Sequence, residues 1–126
     1  MKKLKIYLDT SVISHLFAED TPDKMADTNN LWGNFISGKY DIFISTSTVE
    51  EIQKCSEPKR GKMVEKLDEI DFQILRETSE INELAVEYVN NGVLSQKSIE
   101  DCLHIAFAVV ANCDIHFVEF QTFSRP

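Results

Sequence analysis

Long apolar runs are missing from this sequence, which excludes a membrane-spanning helix of about 20 residues. The amino end, MKKLKIYLD, carries a basic pair, but Asp9 interrupts the apolar residues too early for a secretion signal. The sequence also lacks internal repeats and low-complexity linkers. We therefore expect one folded domain over residues 1–126, with no membrane segment.

Cysteine is scarce, with only Cys55, Cys102 and Cys113 in the chain. Their number is odd and their spacing includes no CxxC pair, so the sequence offers neither a disulfide framework nor a zinc cluster. Unpaired thiols of this kind are typical of a reducing compartment. We therefore expect a cytoplasmic protein.

Positive charge is also in short supply, because 13 Lys and Arg residues stand against 21 Asp and Glu residues, giving a formal net charge of −8. This excess of acids argues against binding nucleic acid through broad charge complementarity. It does not exclude an enzyme whose acids hold metal ions, since bound cations reverse the local field. The basic cluster of Lys59, Arg60 and Lys62 is either a solvated turn or a contact for the phosphates of a nucleic-acid strand.

What the sequence does contain is an alternation of strand and helix patterns, with 43% hydrophobic residues overall. Strand patterns occupy 4–8, 40–45 and 72–75, and a final one begins near Ile115. Apolar residues at helical spacing fill the intervals between these strands. This order predicts parallel βα units and therefore a layered α/β fold.

Two acids follow predicted strands. Asp9 stands between the first strand and a helical pattern, and Glu51 lies in the first turn of the helix predicted after the second strand. Asp9 is either a helix cap or a catalytic acid, since Asp is also a good N-cap. Ser47 and Glu50 have the spacing of a capping box, which gives Glu50 a structural task and leaves Glu51 for a site.

A third acid, Asp101, opens a helical segment that is apolar all round, the pattern of a buried helix. It is again either a cap or a site acid, because a helix dipole favours an acid in the first turn. His104 follows one turn later, either as a hydrogen-bonded core histidine or as a base or ligand. If the three acids gather at one end of the sheet they repel one another, and a hard divalent ion such as Mg²⁺ or Mn²⁺ relieves this repulsion.

These acids lie in the segments LDTSV, EEI and DCLHIAFA, which contain Asp9, Glu51 and Asp101 in turn. In the order and spacing of these segments, nearly the whole chain resembles the PIN domain family, most familiar as the VapC-type ribonuclease toxins of toxin–antitoxin pairs. The resemblance implies a three-layer α/β/α fold with a central parallel sheet of about four strands. It also implies that Asp9, Glu51 and Asp101 are catalytic acids and ligands of Mg²⁺ or Mn²⁺, and that Ser11 orients Asp9.

The activity implied by the resemblance is that of a metal-dependent endoribonuclease, which hydrolyses the phosphodiester bonds of RNA. Its partners would be an RNA substrate and an antitoxin protein, and the family analogy also suggests a homodimer. The alternative is a catalytically inactive PIN-like module that binds a partner. A receiver-type α/β domain fits poorly, because the sequence lacks the early acid pair and the late Lys of that pattern.

The carboxyl end departs from the family pattern. Members usually continue from the last strand into a loop with a fourth acid or Asn, whereas here Asp114 starts the strand and Glu119 lies beside the expected position. We therefore expect an atypical, incomplete end of the domain. One choice of codons for residues 116–125, read a single base later, gives the family-like ending ILWNFKHLVG, so we hypothesise a frameshift that the DNA sequence would reveal or refute.

Overall fold

The computed structural model describes residues 3–92, 99–118 and 121–124. These residues form one five-stranded sheet, with strands β1 (Lys5–Leu8), β2 (Asp41–Ser45), β3 (Phe72–Leu75), β4 (Ile115–Val118) and β5 (Gln121–Ser124). Their order across the sheet is β3-β2-β1-β4-β5, and the first four run parallel. The predicted parallel sheet of four strands is confirmed, and the antiparallel edge strand β5 is an addition that the sequence patterns do not predict.

Helices cover both faces of this sheet. They are α1 (Thr10–His15), α2 (Pro22–Ile36), α3 (Thr46–Lys54), α4 (Lys59–Leu67), α5 (Ser79–Asn90) and α6 (Ile99–Val110). The first four pack against Ile6 and Leu8 of β1 on one face, and the last two pack against Tyr7 on the other. The three-layer α/β/α fold is therefore confirmed. No helix within the described ranges is long and apolar enough to span a membrane.

The central strand β1 is buried on both faces. Sequence alternation separates Tyr7 from Ile6 and Leu8, yet all three side chains are at most 1% exposed. Strand residues alternate between faces, and here each face is covered by a layer of helices. The alternation in β1 therefore separates two cores, and Tyr7 packs with α5 and α6 in the second of them.

Helix α6 is only partly the buried helix that its apolar sequence predicts. Phe107 is fully buried, but Ile99 and Val109 are 42% and 41% exposed. The helix lies at the surface of its layer, where one side contacts the sheet and α5 while the opposite side meets solvent. The prediction of burial all round is wrong because, among the described residues, this layer consists of α5 and α6 with no further element covering them.

The predicted capping box of Ser47 and Glu50 is also wrong. The N-cap of α3 is Ser45, whose Oγ accepts a hydrogen bond of 3.3 Å from the backbone N–H of Thr48. The helix therefore starts directly at the end of β2, two residues before the predicted cap. As a result Glu51 lies in the second turn of α3, and Ser47 lies inside the helix.

Candidate active site

One cavity of about 260 Å³ at the carboxyl ends of the strands brings the three predicted acids together. Asp9 follows β1 directly, Glu51 comes from α3 after the neighbouring strand β2, and Asp101 lies in the first turn of α6. The full lining is Asp9, Thr10, Ser11, Ser14, Glu51, Cys55, Lys59, Met63, Asp101 and His104. Parallel strands end at a common edge, which is the usual ligand-binding region of open α/β sheets.

Asp9 is both a helix cap and a cavity residue. Its carboxylate is 3% exposed and caps α1, with Oδ1 accepting hydrogen bonds from the backbone N–H groups of Ser11 at 3.0 Å and Val12 at 3.4 Å. The hydroxyl of Ser11 donates a third bond to the same oxygen at 2.6 Å. The two alternatives for Asp9 are therefore compatible, because the bonds that cap the helix also fix the carboxylate beside the cavity.

Two donors from different elements hold Glu51. Its Oε1 accepts hydrogen bonds from Oγ1 of Thr10 at 2.6 Å and from Nε2 of His104 at 2.7 Å. Partial burial raises the pKa of Glu51, but these two hydrogen bonds and the nearby charge of His104 outweigh it, so the pKa lies below its ordinary value. No described residue donates to Oε2, which leaves this oxygen available to a cation.

His104 is a buried residue that reaches the cavity through one edge of its ring. The side chain is 2% exposed, and Nδ1 lies 2.6 Å from the hydroxyl of Tyr7, which donates to Oγ of Ser45 at 2.7 Å. A carboxylate oxygen only accepts, so Nε2 carries the hydrogen shared with Glu51. Burial raises the pKa of Tyr7, so its hydroxyl stays protonated. His104 is thus a hydrogen-bonded core histidine and a support for Glu51.

The donor chemistry of the cavity fits a hard divalent cation. Within the parts of the chain that are described, no group of three His, Cys, Asp or Glu side chains is close enough to form a complete ligand set. Mg²⁺, however, usually keeps several waters and is bound through one or two carboxylates. Carboxylate and hydroxyl oxygens around a cavity of this size therefore fit such an ion with water completing its coordination.

The candidate fourth acid is not found in this cavity. Asp114 lies at the start of β4, where its Oδ2 accepts a hydrogen bond of 2.8 Å from the backbone N–H of Lys5. The backbone N–H of Asp114 donates in turn to the carbonyl of Lys5 at 2.8 Å. This contact is at the amino ends of the strands, opposite Asp9. Glu119 lies outside the described residues.

Sequence reasoning does not place two groups beside the acids, although it offers Lys59 as one candidate phosphate contact. Thr10 follows Asp9 and hydrogen-bonds Glu51, and Lys59 at the start of α4 lines the cavity. A hydroxyl directly after the strand-end acid is a signal for Thr10, because both residues lie at the same edge of the sheet. No local signal places Lys59 there, since a basic run after a proline does not indicate that α4 begins beside α1.

Comparisons with known proteins agree with this architecture. The PIN domain family model matches residues 6–117. A search of curated proteins gives no match.

Two solved structures share the fold at 14% sequence identity. One is VapC20 of Mycobacterium tuberculosis, described as a sarcin-ricin loop cleaving toxin, with a TM-score of 0.67 over 88% of this chain and 86% of that one. The other is VapBC2 of Rickettsia felis bound to a DNA fragment from its promoter, with a TM-score of 0.59 over 87% of this chain and 84% of that one. Identity this low shows likeness of fold, while the family model spans most of the sequence. The chain therefore belongs to the PIN domain family.

Proposed function

We propose that the protein is a metal-dependent endoribonuclease that hydrolyses phosphodiester bonds in RNA. The observation that carries the proposal is the cavity lined by Asp9, Glu51 and Asp101 at the strand ends. Carboxylate oxygens are ligands that Mg²⁺ takes in proteins, usually one or two of them together with waters. Membership of the PIN domain family supports the same activity.

Asp9, Glu51 and Asp101 would hold Mg²⁺ or Mn²⁺. Such an ion supplies positive charge that activates water and neutralises the charge developing on the phosphate under attack. Hydroxyls in the cavity, among them that of Ser14, would bind solvent or phosphate oxygens.

The chain itself contributes preorganisation. Ser11 and the first turn of α1 fix Oδ1 of Asp9, and Thr10 and His104 fix Oε1 of Glu51. Carboxylates held in this way do not have to reorient when substrate arrives, which is the condition under which fixed charges are most effective in catalysis. The lowered pKa of Glu51 keeps it ionised at neutral pH.

A toxin role with an antitoxin partner is the finer part of this proposal. It is supported by the folds of the VapC20 and VapBC2 structures, the first of which is a toxin that cleaves the sarcin-ricin loop. The cytoplasmic location and the homodimer remain predictions from the sequence. Copurification of the chain with the product of a neighbouring gene, followed by loss of RNA cleavage in the complex, would test the antitoxin.

The decisive experiment is cleavage of a mixed RNA pool in the presence of Mn²⁺. We expect cleavage by the unaltered chain, none with EDTA, and none by the Asp9→Asn variant. The matched control is Asp71→Asn, which removes one exposed carboxylate away from the cavity and should keep full activity. Cleavage that survives both EDTA and Asp9→Asn would refute the proposed site.

A second candidate function is a PIN-like module that binds a partner without catalysis. It is favoured by the finding that the described residues contain no complete set of metal ligands. Titration with Mn²⁺, followed by the quenching of tryptophan or bound-dye fluorescence, separates the two candidates. Saturable binding that Glu51→Gln weakens supports the nuclease, whereas no binding by the folded protein supports the module.

A further inference from the structure

A second and larger cavity adjoins the acidic one. Its volume is about 580 Å³, and it is lined by Ser14, His15, Phe17, Ala18, Asp20, Thr21, Lys24, Pro58, Lys59 and Lys62. Ser14 and Lys59 line both cavities. The two cavities therefore lie side by side at the start of α4, and one ligand can extend from the first into the second.

The second cavity is basic although the whole chain is acidic. Lys24, Lys59 and Lys62 line it together with a single acid, Asp20. Neither Lys59 nor Lys62 forms an ion pair with any described residue. The pKa of His15 on the same wall is lowered, first by burial and then by the charge of Lys24, while Asp9 and Asp20 act in the opposite direction.

The third member of the basic cluster has a different role. Arg60 donates from Nε to Oε1 of Glu57 at 3.0 Å, and Nη1 donates to the carbonyls of Gln53 and Cys55 at 3.4 Å each. Its guanidinium therefore fastens the loop between α3 and α4. The cluster that the sequence shows as one basic run divides into one structural arginine and two lysines on the cavity wall.

The position of these lysines in α4 argues against a purely structural role. Lys59 and Lys62 lie at the start of a helix whose first turn contains no acid and whose N-cap, Pro58, makes no side-chain bond. The amino end of a helix carries partial positive charge, so lysine is electrostatically unfavourable there. An anion bound in the cavity would offset this unfavourable interaction between the lysines and the helix end.

We propose that the cavity walled by Lys24, Lys59 and Lys62 binds a backbone phosphate of the RNA strand next to the bond that is cut. This inference rests on the proposed ribonuclease function. Because the two cavities are continuous, we favour an RNA strand over a separate small anion as the ligand. An RNA strand whose scissile phosphate lies in the acidic cavity would place a neighbouring phosphate near Lys59. With a net charge of −8, the chain needs such a local basic wall to hold RNA.

The test compares two double variants with the same change in charge. Lys59→Gln with Lys62→Gln removes two charges from the cavity. Lys39→Gln with Lys66→Gln removes two that lie outside it, one beside the ring of Tyr40 and one paired with Glu69. Thermal melting followed by circular dichroism verifies that each variant is folded.

Binding of a labelled single-stranded RNA is measured by fluorescence anisotropy with EDTA over a series of KCl concentrations. Loss of one phosphate contact reduces the magnitude of the slope of log Kobs against log salt by about 0.7 for single strands. Because the cavity binds one phosphate, we expect a reduction of about 0.7 in the cavity variant, while the control variant keeps the slope of the unaltered chain. In Mn²⁺, the cavity variant should raise KM several-fold while kcat stays nearly constant.

The outcomes separate the two proposals. Equal slopes and equal KM values for the two double variants would overturn the phosphate site, even if the chain cleaves RNA. A reduced slope in the cavity variant, with no cleavage by the unaltered chain, would support the phosphate site and refute the nuclease. Cleavage together with a KM effect confined to the cavity variant would support both.

Discussion

Nε2 of His104 lies 2.7 Å from Oε1 of Glu51, and this contact joins the two helical layers across the carboxyl ends of the strands. Glu51 belongs to α3 on one face of the sheet, and His104 belongs to α6 on the other. The geometry of the candidate site therefore depends on how both layers pack, and substitutions at this contact should affect stability as well as activity.

Replacing His104 with leucine should destabilise the fold. The substitution removes a donor from Glu51 and a partner from the buried hydroxyl of Tyr7, and a buried polar group left without its partner costs about 1–3 kcal/mol. Urea unfolding measures this decrease in the free energy of unfolding. His104→Gln, which keeps a side-chain N–H donor and a polar group beside Tyr7, should be destabilised less. Equal decreases for the two variants would show that only the volume of the ring matters.

Glu51 should make stability depend on pH in the metal-free protein. Its pKa in the folded state lies below the ordinary value of 4.5, so the stabilisation is fully present above pH 4.5 and is lost as the pH falls through the folded-state value. Urea unfolding in EDTA between pH 3 and pH 7 compares the unaltered chain with Glu51→Gln. The difference between them in free energy of unfolding should shrink towards the acid end. A constant difference would contradict the pKa assignment.

Lysines at the two ends of α4 should have opposite effects on stability. Lys59 lies at the amino end of the helix dipole and Lys66 in the last turn, where positive charge is favourable. Lys59→Gln should raise the free energy of unfolding by about 0.3–1 kcal/mol, and Lys66→Gln should lower it by a similar amount. Denaturation at low ionic strength measures both. A decrease in stability for Lys59→Gln would mean that Lys59 supports the fold.

Phe107 should be one of the most sensitive positions in the second core. Its ring is fully buried and stacks on that of Tyr7, with the ring centroids 6.5 Å apart. Phe107→Ala should lower the free energy of unfolding by about 3–5 kcal/mol. Val109→Ala, an exposed position on the same helix, should change it by no more than about 0.5 kcal/mol. Similar effects at the two positions would contradict the orientation of α6.

The sequence predicts the sheet well because its strands are short apolar segments at regular intervals, and parallel order follows from the helices between them. Asp9 and Glu51 come together for the same reason, since β1 and β2 are neighbours. Start positions of helices are harder to predict. Ser45 and Ser47 are both acceptable caps, and Ser45 is the cap because it ends the buried strand and also accepts from Tyr7.

Sequence patterns do not predict contacts between residues that are far apart in the chain. Tyr7 and His104 are 97 positions apart, and nothing local in either segment indicates that one hydroxyl and one imidazole meet in the interior. The burial of Tyr7 also depends on a helical layer formed much later in the chain. Pairing of this kind is decided by the packing of whole layers.

The reciprocal hydrogen bonds between Lys5 and Asp114 fix the alignment of β4 with β1 at the amino end of β4. Because Ile115 is thereby set opposite Ile6, the pairing of the central strands is decided before the chain reaches Val118. The same register sets Phe117 opposite Leu8, so β4 ends at the edge of the sheet where Asp9 follows β1. Contacts at the amino ends of the strands therefore decide which residues of β4 reach the acidic edge.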